Sequence, residues 1–323
     1  MVERARQIDD FLAAAGWAGA ARTPLAGDAS GRIYQRLRRG DKSAVLMDSP
    51  GEDVSPFIRI TRHLESCGYS APNIYAEDLA QRLLLLEDLG DLSFDRCLPA
   101  DSAALYGAAV DLLAHLATQA LPGGCPVMNE AHLAGEIRLF AEWWPPQGGG
   151  DGSLAAHADA WVEAWRGAYR PALAIPSGLA LRDFHAGNLM WLAARRGLGR
   201  VGLLDFQDAL AAPICYDLVS LLQDARLDVP DNIEAEMIER FVAAFPGLDR
   251  DAFRASYAVL GAHRNLRIAG IFSRLARRDG RRGYLEFLPR VWRHIETDLG
   301  HPALAPIEAW LARHVPADQR AGA

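Results

Sequence analysis

Asp183, Asn188 and Asp205 stand within a short stretch, residues 179–208, LALRDFHAGNLMWLAARRGLGRVGLLDFQD. Asp183 and Asn188 precede an apolar run, Leu189–Leu192, and Asp205 follows a second one, Val201–Leu204. Between the runs lies a polar segment, Ala193–Arg200, with two glycines and three arginines. Short apolar runs around a Gly-containing turn predict a β-hairpin. A hairpin brings its open ends together, so Asp183, Asn188 and Asp205 are expected to converge. Asn188 and Asp205 then offer oxygen ligands to Mg²⁺, a hard ion that keeps waters and phosphate oxygens as its remaining ligands. Asp183 is left to accept a proton from a hydroxyl. That division of labour is the one phosphoryl transfer uses. Taken alone, D-x4-N is a common pattern, and aspartates at strand ends are ordinary turn residues.

The elements that must hold these groups can be read along the chain. Residues 3–15 predict an amphipathic helix with Ile8, Phe11 and Leu12 on one side. LAGDASGRIYQRLRRGDKSAVLMDSP predicts three strands joined by turns, the second turn at Arg39-Gly40-Asp41. Gly27, Ser30, Gly31 and Arg32 fall in the first turn, where small residues allow a phosphate close to backbone N–H groups. The segment is neither G-x4-G-K-[S/T] nor a clean G-x-G-x-x-G, and a plain β-turn would read the same way. A helix is expected over 56–69, a strand at Ile74–Tyr75, and an apolar strand with an acidic turn in QRLLLLEDLGD, 81–91.

Beyond residue 90 the chain reads mainly helical. Asp101 is expected to cap a helix reaching Gln119, and Asn129 one carrying the stripe Leu133, Ile137, Phe140 and Trp144. Glu136 and Trp143 share another face and could line a sugar site, carboxylate to hydroxyl and ring to sugar. A surface glutamate would read equally well. QGGGDGS, 147–153, is a flexible loop by composition, a connector or a lid. Residues 154–169 predict a helix with Trp161 and Trp165 on one side, and Pro213 is expected to start another. Further helices are expected at 231–245, 251–278, 283–298 and 304–315. The arginines of 263–282, Arg264 among them, read as mostly exposed, with one or two free to face an anionic acceptor. The whole is an α+β protein with a β-rich part over 1–90 and a helical part over 91–323.

RDFHAGN followed by LLDFQDA resembles the aminoglycoside phosphotransferase-like small-molecule kinases. GDASGRIY (27–34), VLMDSP (45–50), LRDFHAGNLMWL (181–192), VGLLDFQDA (201–209) and HRNLRIAGIFSRLARRDG (263–280) are most similar to the bacterial anomeric kinases of N-acetylmuramate and N-acetylglucosamine. These stretches cover most of the chain. The resemblance implies a protein-kinase-like fold of two lobes, nucleotide-binding (1–90) and catalytic with sugar-binding (91–323). It implies ATP and Mg²⁺ as cofactors and a sugar 1-phosphate as product, in peptidoglycan recycling. It implies Asp183 as base, Asn188 and Asp205 on the metal, and Ser30, Gly31 and Arg32 at the phosphates. It further implies Glu87 and Leu89 at the adenine edge, and Asp217 as a support for the catalytic and metal loops. His185, Glu136, Trp143 and Arg264 are candidate contacts for the sugar, as is Asp183.

One departure stands out. Kinases of this architecture carry a lysine on the third strand that pairs with the phosphates. Here Met47 takes its place, and Phe57 falls near where the partner glutamate is expected. The closer group shares the loss. Arg32 and Lys42 are the substitute cations at hand, though each reads as a solvated surface charge. The loss leaves a pseudokinase open, as residue chemistry leaves open an aminoglycoside, choline or homoserine kinase.

Composition narrows the classes. Half of the 323 residues are apolar and the net charge is −7, against a general nucleic-acid binder. The four cysteines form no C-x-x-C pair, so neither zinc nor a disulfide framework is expected and a reducing cytosol is the default. MVERARQIDDFLAAAGW is no signal peptide, and no run approaches the ~18 apolar residues of a membrane span. A monomer with small-molecule partners, a sugar and ATP, is expected.

Overall fold

A computed structural model describes residues 2–25, 31–148 and 154–320. The chain folds as two compact units, 1–101 with 187–208, and 102–186 with 209–323. The first boundary therefore differs from the expected residue 90, and the hairpin joins the first unit. The reason is local: Leu203 N donates to Ser70 O (2.9 Å) and Trp191 N to Leu92 O (2.7 Å).

The first unit opens with helix α1 (Val2–Ala14) and strands β1 (Ala21–Pro24), β2 (Ile33–Arg39) and β3 (Lys42–Asp48). Helix α2 (Ser55–Ser66) and strands β4 (Ile74–Asp78) and β5 (Leu83–Glu87) follow. The strands form one antiparallel sheet in the order β1-β2-β3-β5-β4. Side chains alternate across a sheet. Leu37, Ala44, Leu46, Leu83 and Leu85 pack on Ile8, Phe11 and Leu12 of α1. Met47 and its cross-strand partner Leu84 alternate to the other face, both wholly buried. Gly40 turns β2 into β3 at φ +58°, a conformation that glycine adopts without strain.

Helix α3 (Phe94–Leu116) runs out of this unit into the second. It starts seven residues before the expected cap, so Asp101 lies inside it. Phe94, wholly buried and edge-on to Trp191 at 6.0 Å, anchors the earlier start. The second unit continues with α4 (Glu130–Trp143) and α5 (Ala158–Ala172). The Asn129 side chain caps α4 by accepting from His132 N, and Leu133, Ile137, Phe140 and Trp144 are all buried. Trp161 and Trp165 of α5 are buried edge-to-face at 5.6 Å.

Strand β6 (Ser177–Ala180) precedes the hairpin strands β7 (Leu189–Trp191) and β8 (Val201–Leu203), and β9 (Leu210–Pro213) follows them. Pro213 thus ends a strand rather than starting a helix. It pairs with Ser177 at the end of a two-stranded ladder, where a missing N–H is tolerated. Helices α6 (Tyr216–Leu222), α7 (Asp231–Ala243), α8 (Arg250–Asp279), α9 (Leu288–Leu299), α10 (Ala305–His314) and the short α11 (Ala317–Arg320) follow. Gly270 of α8 passes so close to α4 that a Cβ there would lie 2.7 Å from the Leu139 carbonyl carbon. Among the described residues no helix is long and apolar enough to cross a membrane.

Candidate active site

In the first unit the hairpin register sets the metal candidates. Leu189 pairs with Leu203, and Leu204 N donates to Asn188 O (3.0 Å). Asn188 and Asp205 therefore sit side by side at the open end of the hairpin. Asp205 takes φ +57°, rare for a residue with a side chain. Gln207 Nε2 donates to its Oδ1 (3.0 Å), and Arg32 Nη1 stands 3.8 Å from the same atom. An amide oxygen and a carboxylate are the hard donors that Mg²⁺ takes. Among the described residues no group of three or more His, Cys, Asp or Glu could hold a metal.

Met47, where a lysine is expected, is wholly buried. Phe57, near the place of its partner glutamate, stacks on Phe206 at 5.1 Å. An aromatic pair thus occupies the region of the ion pair. Arg32 corrects the expectation of a solvated charge: its side chain is only 7 % exposed. Its Nη2 donates to Glu52 Oε2 at 3.0 Å, and Gly31 N donates to Glu52 Oε1 at 3.3 Å. Lys42 is exposed, as expected. Ser30 and Gly27 lie outside the described residues, as does 149–153 of the expected lid.

Glu87 ends β5 with its carboxylate engaged. Oε1 pairs with Arg195 at 2.5 Å, and Oε2 accepts from Asn73 Nδ2 at 2.6 Å. Its backbone N donates to Asn73 O (2.8 Å). Two residues on, the Leu89 backbone makes no hydrogen bond among the described residues.

In the second unit Asp183 is half-buried in the loop after β6, and its N donates to Leu181 O (3.0 Å). Asp217, in the first turn of α6, fixes the start of that loop. Its Oδ2 accepts from Leu181 N (2.6 Å) and Oδ1 from Arg182 N (2.9 Å). Burial pushes the Asp217 carboxyl up to about 7, with these two donors pulling the other way. The chain turns at Arg182 with φ +74°, and Ser220 Oγ donates to its carbonyl (3.1 Å).

Glu136 is neither a surface group nor open to hydroxyls through Oε1. That atom pairs with Arg182, with Arg267 Nε at 3.3 Å and with His132 Nε2 at 3.5 Å. Burial alone would raise its pKa. His132, Arg267 and Arg182 outweigh burial and hold it well below the usual range. Trp143 is half-buried with the Arg277 guanidinium 5.4 Å over its ring.

His185 and Arg264 are both buried. Arg226 Nη1 lies 3.2 Å from His185 Nε2, and Asp224 Oδ1 accepts from Arg226 N (2.8 Å). Burial, then the charges of Arg226 and Arg264, push the His185 pKa down against the pull of Asp224 and Asp183. The imidazole is therefore neutral at ordinary pH. Among the described residues, Asp224 Oδ2, His185 Nδ1, Arg264 Nη1 and His294 Nε2 are buried with no hydrogen-bond partner. Buried polar atoms are rarely left so, and four in one charged neighbourhood mark a place for a polar ligand or its waters. Sequence reasoning missed Asp224, Arg226 and His294. Each sits in or beside a helix with no motif, and only folding brings Asp224 and Arg226 to His185, and His294 to Arg264 and Asp224.

The phosphotransferase enzyme family model matches residues 21–255 of the chain. An N-acetylmuramate/N-acetylglucosamine kinase of Caulobacter vibrioides is 38% identical, over 96% of this chain and 96% of its own length. A choline/ethanolamine kinase family protein from Mesorhizobium loti has a similar structure, with a TM-score of 0.63 at 18% identity, covering 95% of this chain and 98% of its own. A spectinomycin phosphotransferase in complex with ADP and spectinomycin gives a TM-score of 0.61 at 12% identity, over 96% and 98%.

Proposed function

Because the chain belongs to the phosphotransferase enzyme family, we propose that it is an ATP-dependent amino-sugar kinase. It phosphorylates the anomeric hydroxyl of N-acetylmuramate and N-acetylglucosamine and acts in peptidoglycan recycling. The observation that carries this reading is the relative 38% identical over nearly the whole of both chains, named for that activity. The charges of the second unit support it. Arg226 and Arg264 beside a neutral His185 suit a carboxylate-bearing sugar, as N-acetylmuramate is, and disfavour a polycationic aminoglycoside.

Asp183 holds the acceptor hydroxyl and takes its proton as the oxygen bonds to the γ-phosphorus and ADP leaves. Asn188 and Asp205 hold Mg²⁺, which when bound neutralises charge on the phosphate oxygens. The transition state is loose, so positioning and electrostatics supply most of the acceleration. Leu89 offers its backbone to the adenine edge, and Asp217 keeps the Asp183 loop in place through its two backbone hydrogen bonds.

A pseudokinase is the second reading, favoured by the buried Met47 alone. Mg-ATP with a panel of amino sugars, aminoglycosides and choline separates the two. ADP release with either N-acetyl sugar, and an anomeric phosphate by NMR, is the expected result. Nucleotide binding without turnover on any acceptor would support the scaffold. Asp183→Asn is expected to lose about 10²–10⁴-fold in kcat while still binding Mg-ATP.

A further inference from the structure

We propose that Arg32 replaces the missing strand lysine as the phosphate-binding cation, and that the Glu52 carboxylate holds the phosphate's place until nucleotide displaces it. This rests on the kinase reading above. Phosphoryl transfer needs a fixed positive charge at the phosphates, and Met47 supplies none. Arg32 immediately precedes β2, and its guanidinium reaches to 3.8 Å from the metal candidate Asp205. The cation thus comes from the residue that leads into the second strand rather than from the third strand.

The geometry around Glu52 is that of an anion site already filled. Two consecutive residues, Gly31 through its N–H and Arg32 through Nη2, donate to the two oxygens of one carboxylate, at 3.3 and 3.0 Å. A phosphate presents the same paired oxygens to a backbone N–H and a guanidinium. A Cβ on Gly31 would meet Glu52 Oε1 at 3.7 Å, so the carboxylate lies against bare backbone. The two partners differ in freedom. Arg32 has a side chain 7 % exposed, with Nη1 buried and making no hydrogen bond among the described residues. Glu52 is 39 % exposed on the turn before α2 and can swing into water. The fixed cation stays, and the exposed anion leaves.

Nucleotide binding without acceptor, measured by calorimetry on the full chain, tests this apart from the choice of sugar. For Arg32→Gln the loss of affinity should grow with the phosphate count. Adenosine should bind within about twofold of wild type, and ATP about ten- to a hundredfold more weakly, as for the loss of a charge-assisted hydrogen bond. A merely structural role would weaken all four of adenosine, AMP, ADP and ATP alike, and that result overturns the proposal. Arg32→Lys should recover part of the ATP affinity. Glu52→Gln, on an exposed side chain, carries the test even if Arg32→Gln does not fold. It should bind ATP more tightly than wild type, with adenosine unchanged. Weaker ATP binding in Glu52→Gln would show that Glu52 holds the cation rather than standing in for the ligand, and would overturn the displacement. Failure of wild type to phosphorylate either sugar, with these nucleotide effects intact, would count against the acceptor assignment alone.

Discussion

At the scale of single residues, Glu136 shows how far a side chain's setting can depart from its sequence context. One carboxylate faces Arg182, Arg267 and His132 inside the second unit. Removing one partner of a buried charge cluster leaves the others uncompensated, at a cost of about 3–5 kcal/mol. Glu136→Gln is therefore expected to melt well below wild type. The pH dependence has a definite sign. The folded-state pKa lies below the unfolded value, so the stabilisation is fully present above about 4.3 and fades as pH falls further. Thermal melts of wild type and Glu136→Gln between pH 7 and pH 3 should converge toward the acid end. A gap between the curves that stays constant down to pH 3 would mean that Glu136 carries no net ion-pair stabilisation.

At the scale of elements, the α4–α8 contact sets the spacing on which that cluster depends, since Glu136 lies on α4 and Arg264 and Arg267 on α8. Gly270 makes the contact possible. Alanine is the better helix former by about 1 kcal/mol. Its Cβ would lie 2.7 Å from the Leu139 carbonyl carbon, which is backbone and cannot rotate away. Overpacking typically costs about 1–3 kcal/mol, so destabilisation should win. Gly270→Ala is expected to lower Tm and to raise the KM for the sugar, with nucleotide affinity unchanged. A higher Tm would show that the helices part without strain. The long amphipathic helices were legible in sequence because their apolar spacing is set by the same core that folds them. The hairpin was legible because its apolar runs flank a turn. Strands β6 and β9 were not: four residues each carry too little pattern, and Pro213 read as a helix start. The burial of Arg32 was hidden too. A charged residue reads as surface unless its counter-ion is known, and Glu52 lies twenty residues downstream. Asp224 meets His185, and His294 meets Arg264 and Asp224, only through tertiary packing.

At the scale of the molecule, the chain's path limits how it can be divided. It leaves the first unit after Asp101, returns at Gly187 and leaves again after Asp208. The returning segment carries the metal candidates Asn188 and Asp205. It also caps polar backbone in the first unit, through Ser70 O, Ser70 Oγ to Gly199 O (2.7 Å) and Leu92 O. A fragment of residues 1–101 would expose Leu89 and the Phe57 ring that stacks on Phe206. It would also lose Asn188 and Asp205, the two candidate oxygen donors for Mg²⁺. The fragment is therefore expected to melt without a cooperative transition and to show no Mg-dependent gain from ATP. In the full chain, ligand at a hundred times its Kd should add about 2.7 kcal/mol of stability. Asp205→Asn should remove the Mg-dependent part of that gain and leave the remainder. A cooperatively folded 1–101 that responds to Mg-ATP would place the nucleotide site wholly within the contiguous sheet, and would remove Asn188 and Asp205 as the metal ligands.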